Sequence, residues 1–251
     1  MNTNKKTVCI IQARTGSTRL PLKVLIPLEG KPLLLRVLDR ALEAKTLDHI
    51  IVATTTNEND QAIIDLVKDY NQKISAMRGS EEDVLDRYYQ TAKKISADII
   101  VRITSDNPLI DPDIIDGIVK EIQNNETLDY ISNNIGKHTF PRGLDTEAIR
   151  FATLEHLWKT TTEPSDREHV TIHIKRFPES FKTKTFLNDV DYSNYRWTVD
   201  EEADFIFVSE IYKQLYSQKK QFRMEDVIAF LEKHPEIRKI NEHIEQQNAQ
   251  Y

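Results

Sequence analysis

Cysteine is nearly absent: Cys9 stands alone, so no disulfide can form within the chain. It lies in the apolar run Val8–Ile11, where a thiol serves as a small hydrophobe; a catalytic thiol needs a basic, partly exposed setting. One cysteine and seven scattered histidines form none of the ligand spacings of a zinc site. Long hydrophobic runs are missing too. Stretches such as Leu33–Leu35 and Ile50–Ala53 are far too short to cross a bilayer. Met1–Lys6 is polar and leads straight into a strand-like segment, without the apolar stretch of a secretory signal. A cytoplasmic protein with no membrane association is expected. There is no surplus of basic charge: 34 Lys and Arg face 40 Asp and Glu, for a net charge of −6. Extended nucleic-acid binding needs a broad positive face and is disfavoured, whereas a local basic site for a nucleotide is not. The phosphate-binding spacings GxxxxGK[ST] and GxGxxG are both absent.

What is present is an ordinary globular composition, 39% hydrophobic and 29% charged over 251 residues, ample for a sizeable buried core. The first half alternates between two periodicities. Strand-like runs cover Thr7–Ala13, His49–Thr55, Lys73–Met77 and Asp98–Thr104. Between and after them, helical spacing covers Pro32–Ala44, Asp60–Tyr70, Glu81–Ile95 and Pro112–Gln123; in the first of these Leu34, Val37, Leu38, Ala41 and Leu42 share one face. This rhythm predicts βαβ units, a mostly parallel central sheet and helices on both of its faces. The second half is less regular. Strands are expected at Tyr130–Asn134, Gly143–Phe151, Phe181–Leu187 and Arg196–Val199, and helices at Thr153–Thr160, Arg167–Phe177, Ala203–Leu215 and Met224–Lys233. The polar tail from Asn241 is expected to fray. No linker rich in Gly, Pro or Ser divides the chain, so residues 1–251 read as one domain with an insertion-like region near 130–190.

Ligands of open α/β sheets bind beyond the carboxyl ends of the strands. That rule selects the loops Gln12–Lys23, Thr54–Asn59 and Ser105–Asp111. The first holds Arg14, Gly16, Ser17, Thr18, Arg19 and Lys23, whose charges and amides suit a triphosphate; otherwise it is a solvated basic loop. In the third, Asp106 could hold Mg²⁺, which takes one or two protein carboxylates plus substrate phosphates, or could simply shape a turn. Asp200, after Arg196–Val199, could be a second magnesium ligand or the N-cap of the helix that follows. Ser80 and Asp83 fit a capping-box pattern, which leaves Gly79, Ser80 and Arg87 free to face a nucleotide. Two polar clusters, Phe140–Glu147 and Ser165–Val170, lie in the irregular half; His169 there could be a core histidine or touch a substrate.

Taken together, the stretches IIQARTGSTRLPLKVL, VATTTN, RGSEEDVLDRYY, VRITSDNPLIDP, FPRGLDTE, SDREHVT and RWTVD resemble the spore-coat polysaccharide biosynthesis cytidylyltransferases, relatives of the CMP-KDO and CMP-sialate synthetases. They occur in that family's order from residue 8 to about 235. The resemblance implies a GT-A-like, Rossmann-like nucleotidyltransferase fold of the α/β class. It implies that Ala13, Arg14, Gly16, Ser17, Arg19 and Lys23 bind the triphosphate of CTP and that Gly79, Ser80 and Arg87 lie near the cytidine. Asp106 and Asp200 would hold Mg²⁺, and Arg142, Asp145, Glu147, Arg167, Glu168 and His169 would line the sugar side. It further implies a homodimer formed through the 130–190 region. One departure stands out: relatives commonly carry Gly between the Pro and the Lys, where this chain has Leu22. Were φ positive there, Leu22 would strain the loop and could displace Lys23.

The expected reaction is attack of a sugar or sugar-acid oxygen on the α-phosphorus of CTP with loss of pyrophosphate, for surface polysaccharide synthesis. Arg14, Lys23, Asp106 and Asp200 would carry it by positioning and charge stabilisation. Two alternatives remain at this level. One is another GT-A-fold transferase, such as a glycosyltransferase or a UTP- or GTP-dependent nucleotidyltransferase, although Asp106-Asn107-Pro108 stands where many glycosyltransferases carry Asp-X-Asp. The other is a non-catalytic nucleotide-binding regulatory domain.

Overall fold

The structure, a computed structural model, describes residues 5–245. It opens with β1 (Thr7–Gln12), a small hairpin of β2 (Pro27–Leu28) and β3 (Lys31–Pro32), and α1 (Leu33–Leu42). Then follow β4 (His49–Thr55), α2 (Gln61–Val67), β5 (Ile74–Gly79), α3 (Val84–Lys94), β6 (Ile99–Thr104) and α4 (Pro112–Asn124). The second half contributes β7 (Tyr130–Ser132), β8 (Glu147–Arg150), α5 (Phe151–Thr160), α6 (Pro164–His169), α7 (Ile172–Arg176) and β9 (Thr183–Thr185). It closes with α8 (Glu202–Gln218), α9 (Met224–Lys233) and α10 (Pro235–Arg238).

Seven strands form one sheet in the order β5-β4-β1-β6-β8-β7-β9. The first four run parallel, β8 is antiparallel to β6 and β7, and β9 is parallel to β7. Alternation along the strands divides the core. Cys9, Ile11, Val52 and Val101 face the layer of α1, α2, α4, α8 and α9. Val8, Ile10, Ile51 and Ile100 face the layer of α3, α5, α6 and α7. The α1 stripe is fully buried at Leu33, Leu34, Val37 and Leu38, each contributing roughly 1.5–3 kcal/mol by leaving water. Cys9 is completely buried, and burial pushes its thiol pKa far up, as befits a small core hydrophobe.

The order reverses at β1: the chain runs outward through β4 and β5, then returns to place β6 on the other side of β1. A crevice must open beyond the carboxyl ends of β1 and β6, where the connecting loops diverge.

The irregular half departs from its periodicity in instructive ways. Arg196–Val199 is no strand; it makes a single parallel bridge, Arg142 to Arg196, because its path crosses the 140–143 turn rather than joining the sheet. The expected strand Gly143–Phe151 narrows to β8, since residues 143–146 are held as a turn: Gly143 has φ 101° and its amide donates to Asp145 (3.1 Å). The helix expected over Arg167–Phe177 is broken between α6 and α7 at Val170, whose φ is 59°. Of the tail, residues 246–251 lie outside the described residues, while Asn241 is buried and donates to Arg196 O (2.9 Å) and Asp204 Oδ1 (3.0 Å), so this part is anchored.

Candidate active site

The basic loop after β1 is tied down at its start. Asp60, buried after β4, accepts from the amide (2.8 Å) and hydroxyl (2.6 Å) of Thr15 and from the hydroxyl of Thr55 (2.5 Å). Burial alone would raise the Asp60 carboxyl; the Thr15 and Thr55 donors outweigh it and hold the pKa below its ordinary value. The loop then turns back on itself, with the Leu22 amide donating to Thr15 O (3.3 Å). Leu22 adopts φ 58° and ψ 19°, the left-handed conformation that makes Gly the easier residue. Its side chain is exposed, so the backbone turns without a clash, and Lys23 is not displaced from the crevice.

Lys23 is the centre of the constellation. Its ammonium donates to Asp200 Oδ1 (2.8 Å), Val199 O (3.0 Å) and Asp106 Oδ2 (3.2 Å). Burial opposes the charge, yet the two carboxylates hold the ammonium above its ordinary pKa. Asp106 lies in the loop after β6 as expected, and its second oxygen accepts from Thr104 Oγ1 (2.5 Å). Asp200 is not the N-cap of α8; Glu201 takes that place. Asp200 instead faces Lys23, Arg19 (3.2 Å) and Arg196 (3.4 Å). Burial pushes its pKa up, and these cations overcome that and lower it.

Asp204, one turn into α8, sets this geometry. It is fully buried and accepts from Arg196 Nε (2.9 Å) and from the amides of Asp200 (3.0 Å) and Glu201 (3.1 Å). Val199 N donates to Asp106 O (2.8 Å), joining the 196–200 segment to the loop after β6.

Across the crevice stands the loop after β5. Arg14, half exposed, lies 3.8 Å from Glu81, and Gly16 approaches the same carboxylate. Ser80 Oγ accepts from the Asp83 amide (2.9 Å), the cap-like contact its spacing suggested, but α3 begins only at Val84 with Asp83 as its cap. Arg87 is buried and donates to Ser80 O (2.7 Å), while its Nε has no partner among the described residues. Gly79 is required here: a Cβ on it would sit 2.8 Å from Arg87 Cγ. Burial, more than the nearby Arg14, lowers the Arg87 pKa.

A second polar cluster lies beside the first on the α3 and α7 face. Glu147, 1% exposed, accepts from Thr171 Oγ1 (2.5 Å), Arg102 (2.8 Å) and Lys175 (3.2 Å). Burial would raise its pKa, but Lys175, Arg102 and Thr171 overcome it and bring it to about 2. Arg102 also donates to Gln12 Oε1 (3.2 Å) and Lys175 to Asn134 Oδ1 (2.7 Å). His138 adjoins them: burial lowers its pKa, Asp145 opposes that, and Arg142 and Lys175 add to it.

Of the residues read from sequence for the sugar side, Glu147 anchors this cluster, and Arg142 and Asp145 act electrostatically on His138. Arg167 goes elsewhere, pairing with Asp83 (2.5 Å) at the start of α3 and donating to Trp158 O (2.8 Å). Glu168 is exposed and makes no side-chain hydrogen bond among the described residues, and His169 is half-buried two residues before Thr171. Arg102, Asn134, His138, Lys175, Asp60 and Asp204 were not singled out from the sequence. Arg102 carried a signal, as a charge inside an otherwise apolar strand; the others carried none that differs from a surface residue.

A model of a family described simply as cytidylyltransferase matches residues 8–251. The chain belongs to the cytidylyltransferase family.

Within it, this cytidylyltransferase is 30% identical over 238 residues to the spore coat polysaccharide biosynthesis protein SpsF of Bacillus subtilis, covering 90% of this chain and 94% of that one. It is 37% identical over 120 residues to a 3-deoxy-manno-octulosonate cytidylyltransferase of Zea mays, covering 47% of this chain and 39% of that one. The solved structure of a cytidylyltransferase from Leptospira borgpetersenii superposes with a TM-score of 0.89 at 32% identity, covering 97% of this chain and all of that one. The nucleotidyltransferase fold expected from the motifs is therefore the fold of this cytidylyltransferase, a seven-stranded, mostly parallel sheet layered by helices. Among the described residues, no helix is long and apolar enough to cross a membrane.

The site's fit to a divalent cation can be tested on its donors. Asp106 and Asp200 converge on one ammonium, so a cation is already held by two hard oxygen donors. Among the described residues no cluster of three or more His, Cys, Asp or Glu is arranged as a metal cage. Two carboxylates with the rest of the shell left to water and substrate is the arrangement magnesium prefers. The residues fit that ion.

Proposed function

We propose that this chain transfers CMP from CTP to a sugar-acid acceptor with release of pyrophosphate, as a cytoplasmic step in glycan synthesis. The observation that carries the reading is the convergence of Lys23, Arg19, Asp106 and Asp200 beyond β1 and β6, where the strand order reverses. Family membership and the kinship with a 3-deoxy-manno-octulosonate cytidylyltransferase support both the nucleotide and the acceptor class.

In this reading Ala13, Gly16 and Ser17 lie along the phosphates, and Arg14, Arg19 and Lys23 neutralise the pyrophosphate as it leaves. Gly79, Ser80 and Arg87 flank the cytidine, Arg87 offering a buried guanidinium whose Nε is unpartnered. Asp106 and Asp200 would hold Mg²⁺, which supplies charge stabilisation at the phosphates when bound. The acceptor would enter beside Arg102, Lys175, Arg142 and His138, with Glu147 orienting the first two. Its carboxylate suits their cationic groups, and one acceptor oxygen then attacks the α-phosphorus in line with the departing pyrophosphate. Arg167, paired with Asp83 at the start of α3, lies outside this cluster, and with Glu168 and His169 it would act on the outer part of the acceptor. The 130–190 region is also where we place a homodimer contact.

The test is pyrophosphate release with each of the four nucleoside triphosphates and Mg²⁺, across a panel of octulosonic and nonulosonic acids and neutral sugar phosphates. Release confined to CTP with a sugar acid is the expected result. Release with UTP or GTP, or with neutral acceptors only, would overturn it.

A further inference from the structure

Every donor on the Lys23 ammonium is spent inside the protein. Its three partners are Asp200, Asp106 and the Val199 carbonyl, at 2.8, 3.2 and 3.0 Å, and the side chain is only 13% exposed. A lysine waiting to grip phosphate would leave its head open to solvent, as half-exposed Arg14 does. This one sits at the point between the two carboxylates where a divalent cation would bind. We propose that Lys23 is a displaceable counter-cation of the Asp106–Asp200 pair, holding both carboxylates in place until a nucleotide arrives and making divalent-cation binding depend on that nucleotide. The inference rests on the reading of these two aspartates as the cation-binding pair.

Charge bookkeeping points the same way. Among the described residues, Lys23, Arg19 and Arg196 face Asp106, Asp200 and Asp204, with Glu201 at the rim 3.9 Å from Arg19. A divalent cation entering alone would meet an ammonium in its place and leave the cluster with excess positive charge. A triphosphate brings the negative charge that receives the displaced ammonium and offsets the new cation. The residue type suits the task. Lysine is a compact point charge on a flexible stem, so its head can swing from carboxylate to phosphate while its backbone stays still. That backbone is held by the left-handed Leu22 before it and by the short helical turn Lys23–Leu25, whose Leu25 amide donates to Leu22 O (2.8 Å). Lys23 would thus be a positioning residue before nucleotide binds and a phosphate ligand afterwards.

The experiment measures Mn²⁺ binding by electron paramagnetic resonance to the full-length wild type, Lys23→Met and Lys23→Arg, each with and without CTP. Without nucleotide, Lys23→Met is expected to bind Mn²⁺ at least about tenfold more tightly than wild type, equivalent to about 1.4 kcal/mol. Lys23→Arg, which keeps the charge, is expected to remain as weak as wild type. Mn²⁺ alone should raise the melting temperature of Lys23→Met and leave that of wild type unmoved. Should Lys23→Met fail to fold unaided, recovery on adding Mn²⁺ supports the inference and no recovery overturns it. Mn²⁺ binding by wild type with CTP, but none gained by Lys23→Met without it, overturns the inference and leaves the proposed function standing. No Mn²⁺ binding by any variant, with or without CTP, overturns both.

Discussion

Replacing Glu147 by glutamine preserves shape and removes one buried charge, and the structure says what that should cost. The carboxylate is 1% exposed, its pKa is lowered from 4.5 to about 2, and Arg102 and Lys175 both depend on it. A carboxyl whose pKa is depressed on folding contributes stability that is present above its unfolded pKa and is lost as pH falls through the folded one. The window here runs from about 4.5 down to about 2. Converting the shift at 1.36 kcal/mol per pKa unit puts the contribution at about 3 kcal/mol near neutrality and less than half of that at pH ~3. Urea unfolding of wild type and Glu147→Gln at a series of pH values measures it directly. The gap between the two should be widest near neutrality, narrow below pH ~4.5 and approach closure near pH ~2. Cost at neutrality agrees with the range of roughly 3–5 kcal/mol for breaking one side of a buried ion pair. A gap that stays constant from neutral to acid pH would refute the reasoning, because the penalty would then come from packing and not from charge.

Three further outcomes follow from particular contacts. Asp106→Asn keeps the Thr104 contact possible but removes one of the two carboxylates, so pyrophosphate release should fall by at least about a hundredfold with an unchanged circular dichroism spectrum; wild-type turnover would discard Asp106 from the site. Gly79→Ala places a methyl 2.8 Å from Arg87 Cγ, which should cost about 1–3 kcal/mol in denaturant unfolding and weaken CTP binding in the same protein. Gly143→Ala is more severe: at φ 101° its Cβ would lie 2.6 Å from the backbone of Trp197 and Thr198. A loss of about 3 kcal/mol or more is expected, with release of the segment that carries Asp200; calorimetry showing an unshifted melting transition would contradict it.

The alternation of apolar residues in Val8–Ile11 and Ile50–Ala53, and the helical stripe of Leu34, Val37, Leu38 and Ala41, encode burial locally, so the parallel sheet and its helix layers were legible from the sequence. So were the loops that matter, since the position of a loop at a strand's carboxyl end follows from the βαβ rhythm alone. Local pattern could not say whether Asp200 capped a helix or faced a ligand, because an Asp before Glu201 and Glu202 suits both. That choice belongs to Asp204 and Arg196, and to Lys23, which lies 177 residues away in sequence. Likewise the sequence offers Arg167 for the sugar side, while its pairing with Asp83, 84 residues earlier, depends on the packing of α6 on α3. Val170 and the 196–199 segment have strand- or helix-like composition, yet one takes a positive φ and the other stays out of the sheet. Sequence by itself determined which apolar residues are buried and which loops follow the carboxyl ends of the parallel strands, since both follow from the periodicity of neighbours. Tertiary structure decided which charges meet, because an ion pair depends on the order in which strands lie side by side, and that order is set by contacts between residues far apart in the chain.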